Sequence, residues 1–125
     1  MYELVLEVVG TDIRRSFTRK EIRVGRDPNC DLVFPTADYP MVSRSHLLIR
    51  LAAERYFVDD LVSSGGTFVN GERIQNAPIS HGDVIQLGKD GPQLKVYIGI
   101  SHRTDGQETP VRSRTISDEA TTKFK

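Results

Sequence analysis

Residues 2–9 alternate: Tyr2, Leu4, Leu6 and Val8 share one face, while Glu3, Val5, Glu7 and Val9 share the other. A period of two sustained over eight residues predicts a half-buried β-strand. Shorter strand-like runs follow at residues 21–24, 31–34, 46–51, 56–58, 67–69, 84–87 and 93–98. Turn formers separate them, namely Gly10-Thr11-Asp12, Asp27-Pro28-Asn29, Asn70-Gly71, Ser80-His81-Gly82-Asp83 and Lys89-Asp90-Gly91-Pro92. Asn70-Gly71 is the strongest hairpin signal, because a two-residue type I′ turn needs positive φ at both central positions. Residues 47–54 could be argued as a helix, but the β-branched and aromatic run that follows, with no Pro or Gly stop, favours a hairpin. Many short strands at turn spacing predict an all-β sandwich or barrel, and no internal repeat is visible.

The pattern stops after Ile100. Residues 101–125 carry eight Ser or Thr, five Lys or Arg and four Asp or Glu, with only Val111, Ile116, Ala120 and Phe124 plainly apolar. Such a segment buries too little surface to offset its ordering entropy, which predicts a domain at 1–100 followed by a disordered tail or linker at 101–125. The 125 residues, 38% hydrophobic, suffice for one core and leave little spare chain. Lys+Arg and Asp+Glu both total 17, so any anion site must be local. The lone Cys30 excludes an internal disulfide and argues against a zinc site, as in a reducing cytoplasm. No apolar run approaches the roughly 20 residues of a membrane span, and the start Met1-Tyr2-Glu3-Leu4 lacks the basic opening of a signal peptide. A soluble cytoplasmic protein is expected.

Three fragments carry candidate chemistry: Gly25-Arg26, Ser43-Arg44-Ser45-His46 and Ser63-Ser64-Gly65-Gly66-Thr67-Phe68-Val69-Asn70-Gly71. Each sets an Arg, a hydroxyl or a bare glycine amide beside strand-like residues, the means by which a β scaffold gathers donors for a phosphate without a helix. Gly25 would let the chain turn tightly at a strand end, and Arg26 would offer a permanently charged planar fork. The third fragment would supply the Ser63 and Ser64 hydroxyls with the Gly65 and Gly66 amides. His46 is read as structural, bonding loop backbone beside the strand that follows it. A Ser43, His46, Asp60 hydrolase fails because the first two share one short loop and no Gly-x-Ser-x-Gly elbow exists. A P-loop is absent, and His46, His81, His102 and Cys30 lack metal-ligand spacing. Nucleic-acid binding through Arg14, Arg15, Arg19, Lys20 and Arg23 is disfavoured by zero net charge and by the lack of aromatic platforms nearby.

The ordered set Gly25-Arg26, Ser43-Arg44-Ser45-His46, Asp60 to Gly71 and Gly82-Asp83-Val84-Ile85-Gln86-Leu87-Gly88 resembles the forkhead-associated, or FHA, domain over about residues 2 to 100. The resemblance implies a β-sandwich of two twisted, mostly antiparallel sheets with about eleven strands, whose loops at one end bind phosphothreonine in a partner protein without catalysis or cofactor. Carried over by position, Arg26, Ser43 and Ser64 should contact phosphate oxygens, with Arg44 beside them and the γ-methyl of phosphothreonine in a small pocket nearby. Gly25, His46, Thr67, Asn70 and Gly71 belong to the structural motif. Gly65 stands where the family usually has an Asn that holds the peptide backbone, which implies weaker or differently oriented peptide binding.

Selectivity in the family rests largely on the residue three after the phosphothreonine. With Tyr39, Pro40 and Met41 before Ser43 and no Arg or Lys between Asp31 and Val42, an apolar or small residue is expected there. Packing of Tyr39 and Met41 against Pro35 and Pro40 is the equally weighted alternative. In the tail, Thr115 lies among arginines and Thr109 precedes Pro110, so both are candidate phosphosites that could occupy the domain's own site. The expected function is phosphothreonine-dependent protein interaction downstream of a Ser/Thr protein kinase, in the N-terminal part of a larger signalling protein. The alternative is an FHA-type scaffold that binds its partner independently of phosphate. Neither nucleic acid nor membrane is expected as a partner.

Overall fold

The alternation at the start of the chain buries Leu4, Leu6 and Val8 and leaves Glu3, Val5 and Glu7 half exposed. The computed structural model describes residues 2–100. These form eleven strands: β1 (Tyr2–Val8), β2 (Arg14–Phe17), β3 (Glu21–Gly25), β4 (Leu32–Val33), β5 (Leu47–Ala52), β6 (Arg55–Asp60), β7 (Thr67–Val69), β8 (Glu72–Ile74), β9 (Asn76–Ile79), β10 (Val84–Leu87) and β11 (Gln93–Ile100). They make a six-stranded sheet in the order β2-β1-β11-β10-β7-β8 and a five-stranded sheet in the order β4-β3-β5-β6-β9. Every pairing is antiparallel except that of β3 with β4. The core lies between the sheets, where Leu4, Leu6, Ile85 and Leu94 of one and Ile22, Val24, Ile49 and Val58 of the other are all at 0% exposure.

Three strands are unannounced by the hydrophobic pattern, and all three are edges. β2 (Arg-Arg-Ser-Phe) and β8 (Glu-Arg-Ile) border the larger sheet, and β9, which contains Pro78, borders the smaller. An edge strand needs only one row of backbone bonds and tolerates charge and Pro, so it need not carry the alternation of an inner strand. The hairpin expected over residues 47–54 is the one joining β5 to β6, with a turn that carries no glycine signal: Ala53 and Glu54 adopt φ of 52° and 64°, a left-handed pair.

Strand directions gather the candidate chemistry. β3 and β6 finish, and β5, β7 and β11 begin, at the same end of the sandwich, so the segments 26–31, 34–46, 61–66 and 88–92 form one rim. The tail 101–125, with Thr109 and Thr115, lies outside the described residues. Among those residues no helix is long and apolar enough to cross a membrane.

Candidate functional site

Gly25 closes β3 with its φ outside the left-handed region, so the tight-turn role expected of it is not what glycine supplies there. The missing side chain leaves room for a crossing backbone: a Cβ would stand 2.1 Å from the Arg44 carbonyl oxygen and 2.9 Å from that of Ser43. That approach lets the Arg26 and Asp27 N–H groups donate to the Ser43 and Arg44 carbonyls at 3.1 and 3.0 Å. The buried Cys30 thiol donates to the same Arg44 oxygen at 3.4 Å, and burial raises its pKa.

Arg26 is half-buried and held along its length. Its Nε–H donates to the Val42 carbonyl and Nη1 donates to Thr36 Oγ1 at 3.1 Å. A guanidinium carries five N–H donors, so three remain for an anion. Ser43 Oγ accepts the Ser64 N–H at 3.1 Å, and the two hydroxyls lie 3.4 Å apart. Arg26, Ser43 and Ser64 are therefore brought together through the backbone of residues 42–43. Arg44 pairs with a carboxylate of its own: its exposed guanidinium lies 3.5 Å from Asp27, which also accepts the Asn29 N–H.

His46 joins the two loops that carry Ser43 and Ser64. Fully buried, its Nδ1 accepts the Ser43 N–H at 3.0 Å, so Nε2 bears the proton and donates to the Gly66 carbonyl at 2.8 Å. Burial lowers the ring's pKa from the ordinary 6.5, opposed by the Gly66 carbonyl and the Asp60 charge, and this keeps the imidazole neutral near pH 7. Below it, Asp60 accepts from the Ser63 N–H at 3.2 Å, the Ser63 hydroxyl and the Thr67 hydroxyl at 2.7 Å. Ser63 Oγ in turn accepts the Gly66 N–H at 3.0 Å. The Ser63 hydroxyl, expected to face an anion, is thus buried and committed within the loop. The signal lay in Asp60 standing three residues before Ser63, the spacing at which a carboxylate bonds forward into a turn.

The remaining positions divide clearly. Asn70 and Gly71 form their turn at φ 51° and 88°, and the Asn70 side chain donates to Asp83 at 3.1 Å and accepts the Val84 N–H at 3.0 Å. This hairpin lies beyond β7, away from the rim. A Cβ on Gly65 would come 3.0 Å from Gly88 Cα and 3.6 Å from the Met41 carbonyl oxygen. Met41 rests on that turn, its Cγ 3.2 and 3.5 Å from where Cβ atoms of Gly91 and Gly88 would stand. Tyr39 packs edge-on against Phe34 with ring centroids 4.9 Å apart. Phe34 is thus a partner of Tyr39, whose N–H also donates to the Pro35 carbonyl at 3.0 Å, and the glycine turn is a partner of Met41. Sequence reasoning passed over Arg73, whose guanidinium lies over Gly66 with Nε 2.8 Å from a Cβ position there. It also passed over Thr36. Neither belongs to a motif, and only the fold brings them to the rim.

A family model for the FHA domain matches residues 22–88. The glycogen accumulation regulator GarA of Mycolicibacterium smegmatis is 38% identical over 65 residues, which are 52% of this chain and 39% of that protein. The chain thus spans about two fifths of the length of this curated relative. Among solved structures, Mycobacterium tuberculosis EmbR in complex with a low affinity phosphopeptide superposes with a TM-score of 0.70 at 26% identity, covering 82% of this chain and 26% of that one. The FhaA FHA domain, complexed with the intracellular domain of Rv3910, gives 0.64 at 29% identity over 77% of this chain and 99% of its own. With eleven strands in two sheets and a loop rim built on Gly25-Arg26, Ser43 to His46 and Ser63 to Thr67, this chain belongs to the FHA domain family.

Proposed function

We propose that this protein is a phosphothreonine-dependent interaction module acting downstream of a Ser/Thr kinase in the cytoplasm, with no catalytic role and no cofactor. The observation that carries it is the convergence of three uncommitted Arg26 N–H donors with the Ser43 and Ser64 hydroxyls. Arg26 is held by the Val42 carbonyl and Thr36, Ser43 Oγ by the Ser64 N–H, and the Ser64 hydroxyl lies against that of Ser43. Donors fixed before the ligand arrives lose little entropy on binding, and a phosphate offers three acceptor oxygens to meet them. Regulatory names among the relatives and a phosphopeptide complex among the structural neighbours support the same class.

In this scheme Arg26 pairs with the phosphate, Ser43 and Ser64 complete its shell, and Arg44 flanks the peptide. Gly65 supplies no side chain to the peptide backbone, so affinity rests on the phosphate more heavily than where an Asn stands. The ligand is a phosphothreonine in a partner protein or in the tail, at Thr109 or Thr115. Fluorescence anisotropy with an oriented phosphothreonine library, its unphosphorylated counterpart and its phosphoserine counterpart tests this. Arg26→Ala should weaken the selected peptide by about 2 kcal/mol or more, roughly 30-fold, as expected for losing one member of a charge-assisted set. Partner binding that survives both Arg26→Ala and dephosphorylation establishes the phosphate-independent scaffold instead.

A further inference from the structure

Beside Ser64 the rim continues into a groove of about 510 Å³ lined by Asp60, Val62, Ser63, Arg73, Gln75 and Asn76. Val62 forms one wall at 94% exposure and adopts φ 54°. A β-branched residue in the left-handed region is a backbone outlier, held here by the turn that Asp60 and Ser63 close across it, which sets its side chain outward. Arg73 on β8 forms the other wall. Its guanidinium lies flat over Gly66, Nε, Cζ and Nη2 being 2.8, 3.0 and 3.2 Å from where a Cβ would stand. Any larger residue at 66 would displace it.

Three observations set the groove's charge. Arg73 is exposed, and among the described residues it pairs with no carboxylate and makes no side-chain hydrogen bond. The one carboxylate lining the groove, Asp60, is engaged by the Ser63 N–H, the Ser63 hydroxyl and the Thr67 hydroxyl. The Asn76 amide donates to Asp59, whose charge Arg50 holds at 2.6 Å. Asp59 is thus ion-paired and the Asp60 oxygens are engaged by neutral donors, while the groove's unspent donor capacity is the guanidinium fork.

We propose that this groove is a second recognition subsite, in which Arg73 binds the carboxylate of an acidic side chain in the partner peptide while Val62 covers its aliphatic stem. The subsite rests on the phosphothreonine function proposed above and adds to it. Ser64 and Val62 are two residues apart, a span of roughly 7 Å. The acidic residue therefore lies within about two or three positions of the phosphothreonine. No Lys or Arg stands between residues 31 and 42, so acid preference through this route is distinct from that of the loop before Ser43.

The test takes phosphothreonine peptides carrying Glu, Gln or Lys singly at each of the three positions on either side, titrated by calorimetry against wild type, Arg73→Gln and Arg73→Glu. At one position wild type should favour Glu over Gln by about 5-fold or more, a ratio that falls as salt rises from 50 to 300 mM. In Arg73→Gln the ratio should collapse to about one, and in Arg73→Glu it should invert, with a Lys peptide now preferred. Phosphopeptide binding with equal Glu and Gln affinities at all six positions overturns the subsite alone. An unaltered ratio in both Arg73 variants does the same. Failure of wild type to bind any phosphopeptide removes the parent function and the subsite together.

Discussion

Gly25→Ala tests the claim that the rim depends on a backbone crossing rather than on a turn. Without movement the new methyl would sit 2.1 Å from the Arg44 carbonyl oxygen, and real Cβ atoms essentially never approach closer than 3.0 Å. The shortfall of 0.9 Å must be made up by parting residues 25–27 from residues 43–44. Two hydrogen bonds span that gap, Arg26 N–H to Ser43 at 3.1 Å and Asp27 N–H to Arg44 at 3.0 Å, and a displacement of this size breaks both. At about 1 kcal/mol each, with an added desolvation penalty for any group left buried and unpaired, the loss is about 2–4 kcal/mol. The lower chain entropy of Ala in the unfolded state returns about 0.4–1 kcal/mol. A net loss of about 2–3 kcal/mol corresponds to a Tm roughly 10–20 °C lower for a domain of this size. Thermal and urea unfolding followed by circular dichroism measures it, with Gly99→Ala in β11 as control, where a Cβ meets nothing within 4 Å. Equal Tm values for the two variants would refute the crossing argument.

Gly65→Asn restores a side chain beside the site at the cost of pressing Gly88 at 3.0 Å; we expect phosphopeptide affinity to rise by about 2- to 12-fold, the worth of one added hydrogen bond, in a calorimetric titration. Replacing Ala53-Glu54 by Asn-Gly, the pair that a type I′ hairpin prefers, should raise stability by about 1–2 kcal/mol in urea unfolding, since both residues now hold left-handed φ without glycine. The His46 ring should titrate with a midpoint below 6.5 when followed by NMR, because its folded pKa is lowered by burial. Above 6.5 both states are neutral and its contribution to stability is complete. As pH falls below 6.5 the unfolded chain takes the proton first, and stability drops until the folded pKa is passed; a ring midpoint at or above 6.5 contradicts this.

The inner strands were legible because both neighbours demand alternation, as in Leu4, Leu6 and Val8 of β1. β2, β8 and β9 were not, because an edge is specified by backbone pairing that Arg14, Glu72 or Pro78 satisfies as well as any residue. At the β5–β6 hairpin the pairing was legible and the turn's conformation was not: the six-pair ladder of β5 with β6 holds Ala53 and Glu54 left-handed against their own preference. In the site, Arg26, Ser43 and Ser64 are singled out by their motifs and brought together by the fold, whereas the Ser63 hydroxyl turns inward because its direction depends on Asp60 and Gly66. Arg73 carries no motif and reaches the rim only because β8 pairs with β7 in the register Phe68 to Arg73.

The pairing of Tyr2 with Ile100 sets both ends of the described chain side by side, at the opposite pole of the sandwich from the rim. β11 separates the two poles by eight residues, roughly 26 Å of extended strand. Anything fused at either end is therefore carried on the far side of the domain from a captured peptide, and the sandwich acts as a spacer between cargo and catch. A ligand within the same polypeptide, by contrast, has to double back along that whole length before it can engage.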